Sequence, residues 1–261
     1  MIQFDCHAHV YETTQAVPGA RYRPKAPAPL ADWLKNLDHH GLKGGVIVQV
    51  SFLGADNSEL CAALSKLDKT RFAGVAVVPL NVEDAELQRL IACGVRGVRW
   101  NLVRNGFVPD LEAPSVRSFL AKLRNHDLHL EVHLEGHRLA PYVAPLADQG
   151  VNIVIDHFGL PSDPDAASDP FLKAIKDLKA RANIFVKLSA KYRTGFDISR
   201  HLETLNSLLP SHQTLWGSDW PHTQHEEAVD YRMTHEDAAQ FADTCDANSV
   251  RKLYGLEPNG I

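Results

Sequence analysis

The sequence predicts a closed parallel (β/α)8 barrel, a TIM barrel, formed as one domain over residues 1–261, and three observations carry that expectation. Short apolar runs alternate with segments of helical period from one end of the chain to the other. About eight such units fit into 261 residues, close to the ~250 residues typical of the barrel. The strand ends carry neither the glycine-rich dinucleotide fingerprint nor a phosphate loop, the features that most often let an open doubly wound sheet bind a nucleotide.

The first strand is expected at residues 3–9, where Phe4, Cys6 and Ala8 alternate with Asp5, His7 and His9. Successive strand side chains point to opposite faces. That places the acid and both imidazoles on one face, with Cys6 on the other, packed against helices. Residues 12–32, rich in Pro and Ala, read as an irregular loop on the upper face of the barrel. A helix is expected where Leu30, Trp33, Leu34 and Leu37 form one apolar stripe, stopping near Gly41. Strand two follows at 45–51, and then a helix carrying Leu60, Leu64 and Leu67, capped at Asn57 or Ser58. Strands three and four fall at 72–78 and 95–101, and a helix with Val116, Phe119, Leu120 and Leu123 leads to strand five at 129–135. Strand six at 151–157 runs into a second irregular stretch, 159–170, before a helix with Phe171, Leu172, Ile175 and Leu178. Strands seven and eight are expected at 183–189 and 214–219, with a terminal helix from 247.

Composition narrows the classes of function. Hydrophobic residues make up 44% and charged residues 23%, enough for one large core. The net charge of -5, with basic residues scattered, argues against nucleic acid or an anionic membrane as a partner. No apolar run approaches the ~20 residues that span a bilayer. The four cysteines are widely separated, with no CxxC pair, and suit buried thiols in a reducing compartment. The chain is expected to be cytoplasmic and unprocessed; nothing in it fixes an oligomeric state.

In a closed parallel barrel the active site forms where the strands end. Those ends carry His7 and His9, Gln49 and Ser51, Arg99 and Asn101, His133 and Glu135, Asp156 and His157, Lys187 and Ser189, and Asp219. Most pairs are spaced by two, which aims both members at one face, so imidazoles, a carboxylate and guanidinium groups are expected to converge in one cup. Two chemistries suit such a set. Neutral imidazole and carboxylate can bind zinc or a similar ion, which activates water and polarises a carbonyl. Alternatively, the histidines donate hydrogen bonds to an oxyanion while the carboxylate takes a proton from water. Both end in hydrolysis, and no nucleophile elbow competes with water as the attacking group. Arg104 reads either as a further anion clamp or as a solvated loop residue. Lys187 reads either as a partner of Asp219 or as part of the pocket lining. Tyr192, Trp220 and His222 stand beside motif residues and shape the pocket or its packing. His39, His40, His126, His129, His201, His212, His225 and His235 are expected in polar stretches or at element edges, outside the site.

At "DCHAH", "QVSFLGADN", "RGVRWN", "VIDHFG", "VKLSAKYR" and "WGSDWPH" the sequence resembles the amidohydrolase superfamily, in the group of barrel hydrolases that contains 2-pyrone-4,6-dicarboxylate lactonase and sugar-acid lactonases. The likeness covers nearly the whole chain. It implies that His7, His9 and His157 surround the carbonyl of a bound lactone and that Asp219 activates water. Arg99 and Arg193 match carboxylate-binding positions, where a planar guanidinium pairs bidentately, with Tyr22, Ser51 and Asn101 as companions. The resemblance implies a small anionic substrate: a 2-pyrone-4,6-dicarboxylate-like, muconolactone-like or sugar-acid lactone. No cofactor is required in this reading. The alternative is a divalent metal, zinc or manganese, on His7, His9, His157 and Asp219. Arg99, standing where metal-binding relatives often place Lys or Glu, favours the metal-free form, whereas His133 supplies an imidazole that such relatives use. The rival functions are a metal-dependent decarboxylase of a related unsaturated or aromatic acid, and a non-catalytic barrel that binds an anionic metabolite.

Overall fold

The computed structural model describes residues 2–179, 182–238, 240 and 245–256; the ends of the expected domain, Met1 and residues 257–261, lie outside them. Eight parallel strands follow one another in sequence order around a single sheet: β1 (Phe4–Ala8), β2 (Gly44–Val48), β3 (Phe72–Ala76), β4 (Val95–Asn101), β5 (His129–His133), β6 (Ile153–Ile155), β7 (Ile184–Ser189) and β8 (Thr214–Gly217). Nine α-helices are present among the described residues: α1 (Leu30–His39), α2 (Ser58–Leu64), α3 (Asp84–Cys93), α4 (Pro114–Asn125), α5 (Gly136–Ala147), α6 (Pro170–Asp177), α7 (Ser199–Leu208), α8 (Tyr231–Ala238) and α9 (Ala247–Tyr254). Each expected strand is found, and the (β/α)8 architecture with it. No described helix is long and apolar enough to cross a membrane.

The sheet closes just past the end of β8. Asp219 N–H donates to His7 O at 2.8 Å and His9 N–H donates to Trp220 O at 2.7 Å, with a parallel bridge between Ala8 and Trp220. Two apolar layers sandwich the wall. Ile47, Val98, Trp100, Leu130, Ile153 and Val186 face helix residues such as Trp33, Leu60 and Phe119 in the outer layer. Phe4, Cys6, Val46, Val48, Ala73, Val75, Val154 and Leu215 fill the lower interior, plugged by Val250, Leu253 and Tyr254 of α9.

The face expected for β1 is corrected by its register. The pairing with β2 slips between Asp5 and Ala8, an irregularity of the bulge type that breaks strict alternation. Asp5 therefore turns to the helices, where it accepts from Trp33 Nε1 at 2.9 Å, Ser218 Oγ at 2.7 Å and Tyr231 OH at 3.0 Å. Cys6 joins the interior core instead of the helix side. Two smaller expectations also change. Asn57 precedes α2 without capping it; its amide bonds to Val77 O at 2.8 Å and receives Val77 N–H at 3.1 Å, tying the helix start to the end of β3. His129 is buried in the barrel wall, in the space left by Gly97, whose hypothetical Cβ would stand 2.2 Å from the imidazole.

Several strands end earlier than expected, and their last functional residues sit on turning backbone beyond the ladder. His157 and Asp219 adopt φ of 53° and 59°, so local turns aim them, and strand alternation does not. Gly217 makes room for this: a Cβ there would stand 2.5 Å from His7 Cβ. Gly217→Ala is expected to overpack the β1–β8 seam and lower unfolding free energy by ~1–3 kcal/mol, measurable by urea denaturation; a wild-type midpoint would show that the seam yields freely.

Candidate active site

Asp219 forms the floor of the site and is 1% exposed. Its Oδ2 receives Tyr192 OH at 2.6 Å and Arg193 Nε and Nη2 at 2.8 and 2.7 Å. Its Oδ1 faces Nε2 of His7 and His9, each at 3.6 Å, and Nε2 of His157 at 3.9 Å. Neither Asp219 Oδ1 nor His7 Nε2 has a hydrogen-bond partner, although both are buried. Burial alone would raise the Asp219 pKa, but Arg193 and the surrounding imidazoles hold it well below the ordinary carboxylate value. Burial, reinforced by Lys187, lowers His7 to about 4. Burial also takes His133 and His157 well below the usual imidazole range. At neutral pH the site therefore combines an ionised acid with neutral imidazoles at His7, His133 and His157. Hydrogen bonding fixes one tautomer: His9 Nδ1 lies 2.7 Å from Val48 O, a carbonyl that can only accept, so His9 Nε2 presents a lone pair.

Above this floor opens a cavity of about 260 Å3, lined by His9, Tyr22, Ser51, Arg99, Asn101, His157, Arg193 and Asp219. The structure thus brings His9, His157, Asp219, Tyr22, Ser51, Arg99, Asn101 and Arg193 together, with His7 immediately beneath. His133, half-buried, completes the wall; its Nδ1 stands 3.0 Å from Arg99 Nη2, while Arg99 Nε bonds to Asp156 Oδ2 at 2.8 Å. Tyr22 is held edge-on against Phe52 with centroids 5.5 Å apart. Neither expectation for Lys187 is met. It lies below the cavity, and its Nζ is 2.6 Å from Glu131 Oε1, 3.1 Å from His7 Nδ1 and 3.5 Å from Asp156 Oδ1. Tyr192 supplies its hydroxyl to Asp219; His222 is buried edge-on to that ring at 5.9 Å, outside the lining. Trp220 donates its N–H to Ser218 Oγ at 3.0 Å and packs at the closing seam.

Glu135, expected at the end of strand five, lines the cavity; sequence reasoning missed Arg21, Thr223 and Gln224 as lining residues, and His225, expected outside the site, lines it as well. Arg21 donates Nη2 to Asn101 Oδ1 at 2.6 Å and Nη1 to Val103 O. Its neighbour Tyr22 was the available signal. Arg104 also reaches the cavity, bonded to Gln224 Oε1. Four guanidinium groups therefore surround a space whose lining carboxylates, among the described residues, are Asp219 and Glu135. Burial, and then repulsion from Arg104 and Arg99, lowers the pKa of Arg21. Such a lining suits an anion.

Buried groups here could hold a divalent ion. His7, His157 and Asp219 each place a ligand atom within 4.8 Å of the others, and His9 Nε2 adds a fourth donor at the same carboxylate. Donor types and spacing suit zinc. A His7 ligand would have to present a bare Nε2, and Lys187 Nζ lies 3.1 Å from the opposite ring nitrogen, Nδ1.

Fold and site together define a barrel of the amidohydrolase type, with the candidate groups at the carboxyl ends of parallel strands. The sequence profile of the amidohydrolase family matches residues 4–256, and the chain belongs to that family. It is 30% identical over 236 residues to 2-pyrone-4,6-dicarboxylate hydrolase of Comamonas testosteroni, covering 84% of this chain and 76% of that protein. Identity is 28% over 228 residues, with the same coverage, to 4-sulfomuconolactone hydrolase of Rhizobium radiobacter. A probable 2-pyrone-4,6-dicarboxylic acid hydrolase from Acinetobacter baumannii, solved with citric acid bound, superposes with a TM-score of 0.89 at 30% identity, covering 98% of this chain and 100% of that one.

The buried imidazoles tie stability to pH. A histidine whose folded pKa is depressed is neutral in the fold, so the unfolded chain takes up the proton first as pH falls. The contribution of His7 is full above the unfolded value of 6.5 and is lost as pH falls toward about 4, amounting to on the order of 3 kcal/mol. His133, His157 and His222 act in the same direction, whereas Asp5, with its raised pKa, opposes them. Urea unfolding is expected to show a loss of several kcal/mol between pH 7 and pH 4, and a flat profile over that interval would contradict neutral burial of these rings.

Proposed function

We propose that the protein is a lactone hydrolase that opens a small dianionic ring, of the 2-pyrone-dicarboxylate or sulfomuconolactone kind, in the cytoplasm. The observation that carries this reading is the ionised Asp219 with one bare oxygen, set among three imidazole Nε2 atoms at the base of a cavity rich in arginine.

The anionic groups of the substrate pair with Arg99 and Arg193, assisted by Tyr22, Ser51 and Asn101, which places the ester carbonyl over the floor. Water sits between two acceptors, His9 Nε2 and Asp219 Oδ1. As its oxygen attacks the carbonyl carbon, Asp219 takes the proton. The negative charge that develops on the carbonyl oxygen meets Nε2–H of His7, with His157 beside it, in a site where fixed donors act more strongly than they would in water. Collapse of the tetrahedral intermediate breaks the ring C–O bond, and the proton held by Asp219 passes to the departing oxygen. The products are one new carboxylic acid, which releases water's second proton to solvent to become a carboxylate, and one hydroxyl or its keto tautomer.

A panel of lactones tests this scheme. Asp219→Asn is expected to lose ~10²–10⁴-fold in kcat while remaining folded; a variant as fast as wild type would remove Asp219 from the chemistry. Carbon dioxide release without ring opening would point to the decarboxylase, and tight binding without turnover to a metabolite-binding barrel. If the arginines recruit the substrate by charge, kcat/KM for a dianionic lactone should fall with rising ionic strength. A neutral lactone of similar size should show little dependence, and equal slopes for the two would argue against electrostatic recruitment.

A further inference from the structure

His7 is contested from below by two groups. Its Nδ1 lies 3.1 Å from Lys187 Nζ and 3.4 Å from Asp156 Oδ1. The two impose opposite tautomers. An ammonium only donates, so against Lys187 the Nδ1 atom must be bare and the ring proton sits on Nε2; a carboxylate only accepts, so against Asp156 the proton sits on Nδ1. Nε2 is the atom that faces Asp219 Oδ1. The winner therefore decides whether His7 offers the site a hydrogen-bond donor or a lone pair fit for a metal ion.

The geometry favours Lys187. Its bond to His7 is the shorter, and its other N–H groups point to Glu131 Oε1 at 2.6 Å and Asp156 Oδ1 at 3.5 Å. His7, Glu131 and Lys187 are 0% exposed and Asp156 1%. A neutral amine there would leave buried carboxylate charge uncompensated, a large penalty. Asp156 Oδ1 has no hydrogen bond, so a second arrangement waits beside the first.

We propose that Lys187 is a positioning residue that holds His7 as the Nε2–H tautomer, making it an oxyanion donor and keeping it from ligating a metal. With Lys187 removed, Asp156 Oδ1 takes over Nδ1–H, and the bare Nε2 joins His9 and Asp219 as a zinc site backed by a carboxylate. The inference deepens the proposed hydrolase through the role of His7. Because tautomer and metal affinity are both read without turnover, its failure is distinguishable from failure of the lactonase reading.

The test uses full-length protein with ¹⁵N-labelled histidine. Long-range ¹H–¹⁵N spectra, assigned with His7→Asn, are expected to show the His7 proton on Nε2. Equilibrium dialysis against zinc is expected to give at least ~10-fold tighter binding for Lys187→Met, alone and with Glu131→Gln so that this carboxylate is not left bare. Adding His7→Asn should abolish the gain. A wild-type His7 protonated on Nδ1 overturns the proposal, as does a folded Lys187→Met protein with wild-type zinc affinity. If the lysine variants do not fold, the wild-type spectrum decides alone.

Discussion

The structure depends on compensation of buried charge along the axis of the barrel. Lys187 lies against Glu131 and near Asp156, Arg99 bonds to Asp156, and Arg193 bonds to Asp219. Three cations and three carboxylates thus share a space from which water is largely excluded. An isolated charge in such a space is very costly, whereas a matched set held by hydrogen bonds is tolerable. Arg193 is the partner of Asp219, while Asp156 and Lys187 each have two partners in the set. This coupling accounts for an Asp219 that stays ionised while buried, and for imidazoles that stay neutral beside it.

The same compensation separates binding from chemistry. Oδ2 of Asp219 is saturated by Tyr192 and Arg193 and orients the side chain, while Oδ1 remains open toward the cavity. One carboxylate is thereby anchored on one oxygen and left without a partner on the other. Arg193 lines the cavity as well as holding Asp219, so in the proposed scheme substrate anion and base share one guanidinium. The outer arginines, Arg21 and Arg104, face the cavity from loops that follow β1 and β4, away from the charge-matched interior.

Much of this was legible in the sequence because barrel geometry is so restrictive. The eight apolar runs were readable from their spacing, and polar residues at their ends had few places to go except the mouth. Arg99 and Asn101, two apart on a regular strand, behave as alternation requires. Legibility failed where the backbone leaves regular geometry. The slipped register in β1 sends Asp5 and Cys6 to faces opposite those that alternation assigns. Arg21 and His225 reach the cavity through irregular loops whose paths no periodicity encodes. Lys187 was recognised as an interior cation, but its partners, Glu131 and Asp156, come from strands two and one positions away, and that pairing depends on how far each side chain reaches across the barrel.

The closing seam has a temporal consequence. The backbone bonds that join the two ends of the sheet run from His9 to Trp220 and from Asp219 to His7, so three of the candidate site residues also form the seam. A chain still emerging from the ribosome has its first histidines early but lacks the acid until more than four-fifths of its length has been synthesised. On the proposed reading, half-made protein lacks its base, which arrives with the same segment that shuts the barrel.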